Sequence, residues 1–326
     1  MLSLTAKDVR GVIVLNPTPS NDKAADLEAP SSVDLDRSRE MFQKLMQGGI
    51  KGFGLCGTTG EGASLTWDER TEYIAAAVEN IRKKAFIFAG IMALGTREAI
   101  MEMKHVQRLG ADGAYMGIPM WQTPTVENSV QFYADLAEAV PDFPIMISSH
   151  QGVFKSDFPI EFWEGVGKKA ITVVANQVSY VSLDLDADMA AATDRVRFVP
   201  GRWGAYEIWK HVGPKIQALW SNDPCPEPYV ALLDAMAKNE EGRAEEIYKE
   251  FKSLPPRNPT QTRGAPGDFY MYNVQMDREI WNVSDYFHVG PPRPPYYDLP
   301  DTWKQAAGVY CKALDQLRAR HERARS

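Results

Sequence analysis

Two adjacent threonines between glycines form the most informative polar string of the sequence, Gly57-Thr58-Thr59-Gly60-Glu61. The threonines offer two hydroxyl groups and two backbone N–H groups, and the flanking glycines allow a tight backbone. Such a loop can hold a carboxylate or a phosphate through several hydrogen bonds. By itself the string is more typical of a plain loop that caps the following helix, so the binding interpretation needs further support.

Short apolar runs alternate with longer amphipathic segments from residue 11 onward, and these elements must position the loop. The runs show no clean alternation of polar and apolar residues, which is typical of buried parallel strands. The predicted strands are residues 11–16, 52–56, 86–89, 113–116, 144–148, 172–175, 196–200 and 216–220. The predicted helices between them include residues 36–48, 66–81, 96–109 and 125–139. The second of these helices begins with a capping box of Thr66 and Glu69.

Eight strands that alternate with helices predict an α/β fold, namely a (β/α)8 TIM barrel of roughly 250 residues. A doubly wound open sheet is the alternative, but no G-x-G-x-x-G motif follows the first predicted strand. Chemistry in such barrels takes place at the carboxyl ends of the strands, where the loop after the second strand lies. We assign residues 1–222 to the barrel, and residues 223–326 to its last helix and a C-terminal helical extension packed on it.

The last third of the sequence contains further helical patterns at residues 226–238, 240–254 and 301–323. A Pro-rich segment, residues 290–300, connects the last of them to the rest of the chain. Such a segment is extended and cannot join a helix or a central strand. We interpret it as a strap that lays the last helix against the barrel, because its tyrosines can pack. A solvent-exposed linker is the alternative.

Composition and charge exclude several classes of function. The 36 basic and 43 acidic residues give a net charge of −7, which argues against nonspecific binding of nucleic acids or anionic membranes. No stretch approaches the ~20 consecutive apolar residues of a membrane helix, and no secretory signal is visible. Three scattered cysteines fit reduced thiols, so a cytoplasmic location is predicted. No metal-binding or cofactor-binding motif is present, and neither a metal nor a cofactor is predicted.

Residues 57–70, GTTGEGASLTWDER, resemble the signature of the dihydrodipicolinate synthase and N-acetylneuraminate lyase family. Further segments resemble that family in order and spacing, at residues 110–125, 143–159 and 196–204. PMW at residues 119–121, FKSDFP at 154–159 and the terminal GPPRPPY are similar to its hydratase-aldolase branch. That branch cleaves arylidene pyruvates to an aromatic aldehyde and pyruvate in aromatic degradation. The resemblance covers nearly the whole chain and implies a (β/α)8 barrel, usually a tetramer built from dimers.

The resemblance also implies a covalent mechanism, and here the sequence departs from the family. The family uses a lysine at the end of the sixth strand, which forms a Schiff base with the pyruvyl ketone, and a proton-shuttling tyrosine at the end of the fifth. Ser148 stands at the tyrosine position. An ungapped count puts Asn176 at the lysine position, and a shift of one residue puts Gln177 there. An amide cannot form an imine, so we expect a re-purposed site.

Polar residues near these positions are the other candidates for catalysis. Asn176 or Gln177 could donate a hydrogen bond to a ketone oxygen and stabilise an enolate. His150, two residues beyond Ser148, could act as a general base with a near-neutral pKa, or it could cap a helix or lie exposed. Lys155 is a weaker candidate for a substitute amine, because a loop lysine lacks the burial that lowers its pKa.

Other residues at the strand ends are candidates for substrate binding, besides Gly57 and the two threonines. Arg202 and Trp203 follow the seventh strand; Arg202 could pair with a second carboxylate or form a surface ion pair. Met120, Trp121 and Trp220 could form an apolar wall for an aromatic group, or simply pack in the core.

The sequence therefore predicts a lyase or hydratase acting on a 2-oxo acid or related carboxylate, aromatic ones included, through a hydrogen-bonded enolate and not an imine. A non-catalytic member that binds a carboxylate or a partner protein is one alternative. An ordinary pyruvate-dependent aldolase is another, if the alignment of the sixth strand is wrong. The expected partners are a small-molecule carboxylate and further copies of the chain, as a homodimer or homotetramer.

Overall fold

The structure, a computed structural model, describes residues 2–119, 121–179, 185–259 and 269–323. These residues form eight parallel strands: β1 Gly11–Val14, β2 Gly52–Leu55, β3 Phe86–Gly90, β4 Gly113–Met116, β5 Ile145–Ser148, β6 Val173–Val178, β7 Arg197–Pro200 and β8 Ala218–Ser221. The strands pair in the order β7-β6-β5-β4-β3-β2-β1-β8. A parallel bridge between Gly201 and Trp220 connects the ends of β7 and β8 and closes the sheet. The prediction of a TIM barrel is confirmed, and the open doubly wound sheet was the wrong alternative.

Helices follow the strands and cover the outside of the barrel. Within the described part of the chain they are α1 Leu35–Gln47, α2 Trp67–Ile81, α3 Thr96–Leu109, α4 Val126–Ala139, α5 Gln151–Phe154, α6 Ile160–Lys169, α7 Leu185–Ala191, α8 Ala205–Val212, α9 Pro226–Ala237, α10 Glu241–Lys252, α11 Phe269–Val283 and α12 Asp301–Arg323. The capping box of Thr66 and Glu69 is formed at the start of α2. The helix α3 ends at Gly110, which adopts the left-handed conformation predicted for such a C-cap.

The strands carry two apolar layers, which explains why their sequences do not alternate. One set of side chains, which includes Ile13, Phe88 and Met146, fills the inside of the barrel. The other set packs between the strands and the helices. Residues of a strand that is buried on both faces must be apolar at odd and even positions alike. A polar residue inside such a strand therefore needs a specific explanation.

The C-terminal part of the chain packs against the barrel. Helix α9 contacts β1 and β8, and α12 packs against α9 and α11. In the Pro-rich segment, Arg293 is only 1% exposed and donates hydrogen bonds to the carbonyl groups of Thr18 and Pro19. The segment is thus held against the barrel and is not an exposed linker. The division of the chain at residue 222 stays a prediction. No helix in the described ranges has the length and apolar character to cross a membrane.

Candidate active site

A cavity of about 570 Å³ opens at the carboxyl ends of the strands, the end of a barrel where chemistry is expected. Nine of the residues predicted from the sequence line it. They are Gly57, Thr58, Thr59, Ser148, His150, Gln177, Arg202, Trp203 and Trp220. Asn176 and Trp121 lie outside this lining, and Met120 lies outside the described residues.

The strand register decides between Asn176 and Gln177. Asn176 pairs with Ile147 of β5 and with Phe198 of β7, whereas Gln177 pairs with Ser148. Paired residues of neighbouring strands point to the same side of a sheet. Ile147 and Phe198 belong to the core between the strands and the helices, so Asn176 faces outward. Gln177 faces the cavity together with Ser148, which favours the one-residue shift over the ungapped count.

An irregularity in the pairing of β5 and β6 explains why the ungapped count selects the wrong side of the strand. Ile145 pairs with Val173, but the next residue, Met146, pairs with Ala175. The strand β6 therefore contains one residue more than β5 in this interval, and every later residue is displaced by one place. Asn176 is buried, and its Oδ1 atom has no hydrogen-bond partner among the residues that the structure describes.

A hydrogen-bond network fixes the side chain of Gln177 in the cavity. Its Oε1 atom accepts a hydrogen bond from the Tyr115 hydroxyl at 2.8 Å and one from Ser148 Oγ at 2.9 Å. Its Nε2 atom donates to Ser179 Oγ at 3.1 Å. In this orientation the amide oxygen accepts from two hydroxyls and the amide nitrogen donates to a third. Because an amide nitrogen carries two hydrogens, Nε2 can offer the second one to a ligand oxygen.

Tyr115 is a site residue that sequence reasoning missed. It lies on β4, and burial raises the pKa of its hydroxyl to about 12, so the group stays protonated and donates. Its ring packs directly under the GTTGE loop. A Cβ atom at Gly57 would lie 2.5 Å from Cε1 of Tyr115, so this approach requires glycine. A tyrosine near the carboxyl end of a buried strand was the signal that could have found it.

The two threonines of the loop have different surroundings. Thr59 is buried and its hydroxyl donates to Oδ2 of Asp277 at 2.7 Å. Thr58 is half-buried and lines the cavity. Because one hydroxyl has one hydrogen to donate, Thr59 directs it to a protein carboxylate, and Thr58 is the better placed of the two to donate to a ligand.

Buried ion pairs connect the GTTGE loop to the C-terminal part of the chain. Glu61 adopts the left-handed conformation and is buried, where it accepts hydrogen bonds from Arg278 and Arg293. These arginines come from α11 and from the Pro-rich segment, so the C-terminal part of the chain positions the loop. Ser32 connects Arg293 to a second carboxylate, that of Glu69, so the two guanidinium groups are balanced by two carboxylates and their role is to hold the loop.

A second buried ion pair at the cavity wall was also missed. Arg257 donates to the carboxylate of Asp277, and Asn222 Nδ2 lies 3.1 Å from both oxygens of that carboxylate. Burial raises the pKa of Asp277, although Arg257 opposes this shift. Both partners follow the barrel in sequence, and no local motif marks them, because the path of the C-terminal chain alone brings them to the cavity.

His150 differs from the general base expected from the sequence. Its Nδ1 atom accepts a hydrogen bond from the Val153 N–H at 3.2 Å, which caps the short helix α5. Burial lowers the pKa of the imidazole to about 4, so the expectation of a near-neutral pKa is wrong. With Nδ1 accepting, the neutral ring carries its proton on Nε2, and that atom is a donor.

Arg202 is also engaged within the protein. It is 3% exposed, its Nε atom donates to Asp223 at 3.1 Å, and its guanidinium lies 3.6 Å from the centre of the Trp203 ring. Asp223 thus takes the position that a second ligand carboxylate was expected to occupy. The ion pair is buried, so the alternative of a surface pair is wrong, and binding of a ligand carboxylate by Arg202 stays a prediction.

The aromatic part of the cavity wall includes Trp220, as expected from the sequence, but not Trp121. Trp220 lines the cavity, with its indole N–H donating to the Val178 carbonyl at 2.7 Å, and Trp203 and Phe251 lie in the same lining. Trp121 is 83% exposed and lies outside it. The side chain of Lys252, at the end of α10, reaches the rim of the cavity.

Known proteins resemble the whole chain, in sequence and in structure. The sequence model of the dihydrodipicolinate synthetase family matches residues 23–164. The chain is 32% identical to the trans-O-hydroxybenzylidenepyruvate hydratase-aldolase of Pseudomonas aeruginosa over 98% of its own length and 96% of that protein. The chain belongs to the dihydrodipicolinate synthetase family. The corresponding enzyme of Sphingobium xenophagum is 33% identical, with 92% of each chain covered.

A solved structure of a protein named PhdJ, bound to a substrate intermediate, superposes on this chain with a TM-score of 0.93. The two chains are 29% identical, and the match covers 98% of this chain and 100% of PhdJ. The family resemblance expected from the sequence is therefore confirmed, and the relatives are lyases of the hydratase-aldolase type. In the described residues, no group of three or more His, Cys, Asp or Glu side chains is arranged to hold a metal ion.

Proposed function

We propose that this chain is a lyase of the hydratase-aldolase type that acts on 2-oxo acids with an aromatic group and stabilises an enolate without forming an imine. The names of its relatives support the reaction class. The observation that carries the mechanism is the amide of Gln177, which the hydroxyls of Tyr115 and Ser148 hold in the cavity.

In this proposal the substrate carboxylate binds at the loop. The Thr58 hydroxyl and the backbone N–H groups of the loop donate to it, and the ion pairs of Glu61 with Arg278 and Arg293 hold the loop in place. The aromatic group lies against Trp220 and Trp203, whose faces supply a large apolar surface.

The ketone oxygen of the substrate then accepts a hydrogen bond from Gln177 Nε2. Water first adds across the C3=C4 bond of an arylidene pyruvate, with its hydroxyl on C4 and its remaining proton on C3, which gives the 4-hydroxy-2-oxo acid. When the C3–C4 bond of this acid breaks, its electron pair forms the enolate, and negative charge develops on the ketone oxygen. The proton that leaves the C4 hydroxyl, as the aldehyde forms, is matched by the proton that C3 gains. A donor already fixed by the protein stabilises this charge without reorganisation, as in an oxyanion hole.

One observation favours a second candidate, the ordinary Schiff-base aldolase. Lys252 lies at the cavity rim, where its amine could meet a ketone. Its side chain is exposed, however, and it approaches the ring of Tyr248 at 5.6 Å and not the end of β6. Gln177 is therefore the better supported residue.

A steady-state assay with an arylidene pyruvate tests the proposal. We expect release of an aromatic aldehyde and of pyruvate in equal amounts by the unaltered protein. Binding of a 2-oxo acid in calorimetry without any turnover would instead identify a non-catalytic carboxylate-binding protein, and would contradict the proposed activity.

The assembly state and the location are part of the same proposal. We propose a homodimer or homotetramer, which light scattering at micromolar concentration would show, and which a monomer mass would contradict. Cys56, Cys225 and Cys311 are free and buried thiols, which supports a reducing, cytoplasmic environment.

A further inference from the structure

A smaller cavity of about 130 Å³ lies beside the main one, and we call it the side chamber. Gly57, Thr58, Tyr115 and Ser148 line both cavities and so form the partition between them. Thr58, which is proposed to bind the carboxylate, and Tyr115 and Ser148, which orient Gln177, therefore lie at the junction of the two cavities.

The lining of the side chamber is mainly apolar beyond this partition. Met92, Met116, Val153, Phe154 and Val274 line it. The polar members of this lining are Glu61, Ser64 and Tyr296, and Glu61 is paired with two buried arginines. Methionine is flexible and polarisable, and such a wall adapts to apolar groups of different shape. A cavity of roughly 150 Å³ is known to accept benzene, so the side chamber has room for a group between a methyl and a small ring.

We propose that the side chamber receives an apolar substituent on C3 of the substrate, so that the 2-oxo acid released is larger than pyruvate. This inference rests on the proposed function, and it names the substrate class of the same site. The chain would then cleave C3-substituted 4-hydroxy-2-oxo acids, with the aldehyde half in the main cavity and the C3 substituent in the side chamber.

The geometry of the partition leads to this assignment. A carboxylate at Thr58 and a ketone oxygen at Gln177 place C2 of the substrate beside Ser148. C3 follows C2 and carries two kinds of substituent, the C4 group that is cleaved off and any further group. The aromatic wall around Trp220 and Trp203 accommodates the first, and the side chamber lies on the other side of the partition for the second.

The small side chain of Ser148 keeps this partition open. Its hydroxyl is hydrogen-bonded to Gln177 and approached by Tyr115, and it lines both cavities. A bulky residue at this position would occupy the space between them. The side chamber thus depends on one of the two positions at which this chain departs from the family pattern.

Calorimetric titration with a series of 2-oxo acids tests the inference directly. Pyruvate, 2-oxobutanoate and 2-oxopentanoate differ only in the substituent on C3. For the unaltered protein we expect the dissociation constant to fall about fourfold for each added methylene, because each becomes buried. A dissociation constant that stays constant or rises along the series would contradict the binding of a C3 substituent in the side chamber.

Two variants that each add bulk to the lining of the side chamber provide the second part of the test. Val274→Phe and Met92→Phe should each abolish the increase in affinity with the chain length of the 2-oxo acid, measured relative to pyruvate in the same variant. Leu254→Phe, which narrows the main cavity only, is the matched control and should keep this increase. The helix content by circular dichroism identifies any variant that fails to fold, and the other variant then decides.

The outcomes separate this inference from the proposed function. If pyruvate binds but both folded chamber variants keep the increase in affinity with chain length, the assignment of the C3 substituent to the side chamber is wrong. The proposed function is then unaffected. If no 2-oxo acid binds to the unaltered protein, the ligand class of the proposed function is wrong, and the inference falls with it.

Discussion

Replacement of Gln177 by methionine removes the amide and keeps the length of the side chain. Because Nε2 is the proposed donor to the developing enolate oxygen, its loss should lower kcat by about 10²- to 10³-fold. Stability should fall too, because Oε1 accepts from Tyr115 and Ser148. Tyr115 can still donate to Ser148 Oγ, 3.3 Å away, so one buried hydroxyl loses its acceptor, at a cost of about 1–3 kcal/mol.

The neighbouring residue supplies the control for this prediction. Asn176→Leu changes an outward-facing amide whose oxygen has no partner among the described residues, so kcat/KM should stay within threefold of the unaltered value. The assay follows release of the aromatic aldehyde from an arylidene pyruvate, and urea unfolding measures stability. If Gln177→Met retains full activity while Asn176→Leu loses it, the register argument and the role of the amide are both refuted.

Three further predictions concern the loop, the ion pair and the capping histidine. Thr58→Val should weaken binding of a 2-oxo acid by about 1–3 kcal/mol in calorimetry, and Thr59→Val should weaken it less because that hydroxyl donates to Asp277; equal effects would contradict the assignment. Asp277→Asn should lower the free energy of unfolding by about 1–3 kcal/mol, since Arg257 loses its nearer carboxylate and keeps only Asp223, 3.7 Å away, and an unchanged free energy in urea unfolding would argue against it. The pKa of His150 is about 4 in the folded state, below the ordinary 6.5, so the unfolded state takes up a proton first as the pH falls. Up to about 3 kcal/mol of the free energy of unfolding should therefore be lost between pH 6.5 and pH 4. The variant His150→Asn keeps a capping acceptor but does not titrate, and urea midpoints with the same pH dependence in this variant would disprove the prediction.

Much of the barrel was predictable, because its elements depend on local patterns. The helices 96–109 and 301–323 begin and end where their apolar periodicity and caps place them. The sixth strand is the instructive exception. Its prediction stopped at residue 175, before the polar pair Asn176-Gln177, yet the strand continues to Val178. A polar residue can lie within a buried strand when a cavity and its hydroxyl groups satisfy it, and sequence periodicity does not show such partners.

The rest of the site depends on contacts between segments far apart in sequence. Thr58 and Ser148 were recognisable, since Thr58 lies in the loop after a predicted strand and Ser148 is the last residue of another. The pairing of Thr59 with Asp277, across 218 residues, was not, because it requires the path of the C-terminal helices. The one-residue displacement in β6 has the same origin, as it arises from pairing between two strands and not from the sequence of either.

Trapping with borohydride tests the central claim, that the cavity works without an imine. The unaltered protein and Gln177→Lys are incubated with pyruvate and borohydride, and intact-mass spectrometry with peptide mapping follows. The account predicts no mass gain for the unaltered protein, and a single reduced pyruvyl adduct on the new lysine in the variant, since that amine would lie beside Ser148 in the cavity. An adduct on the unaltered protein, on Lys252 or any other lysine, in amounts that follow its activity would contradict the account.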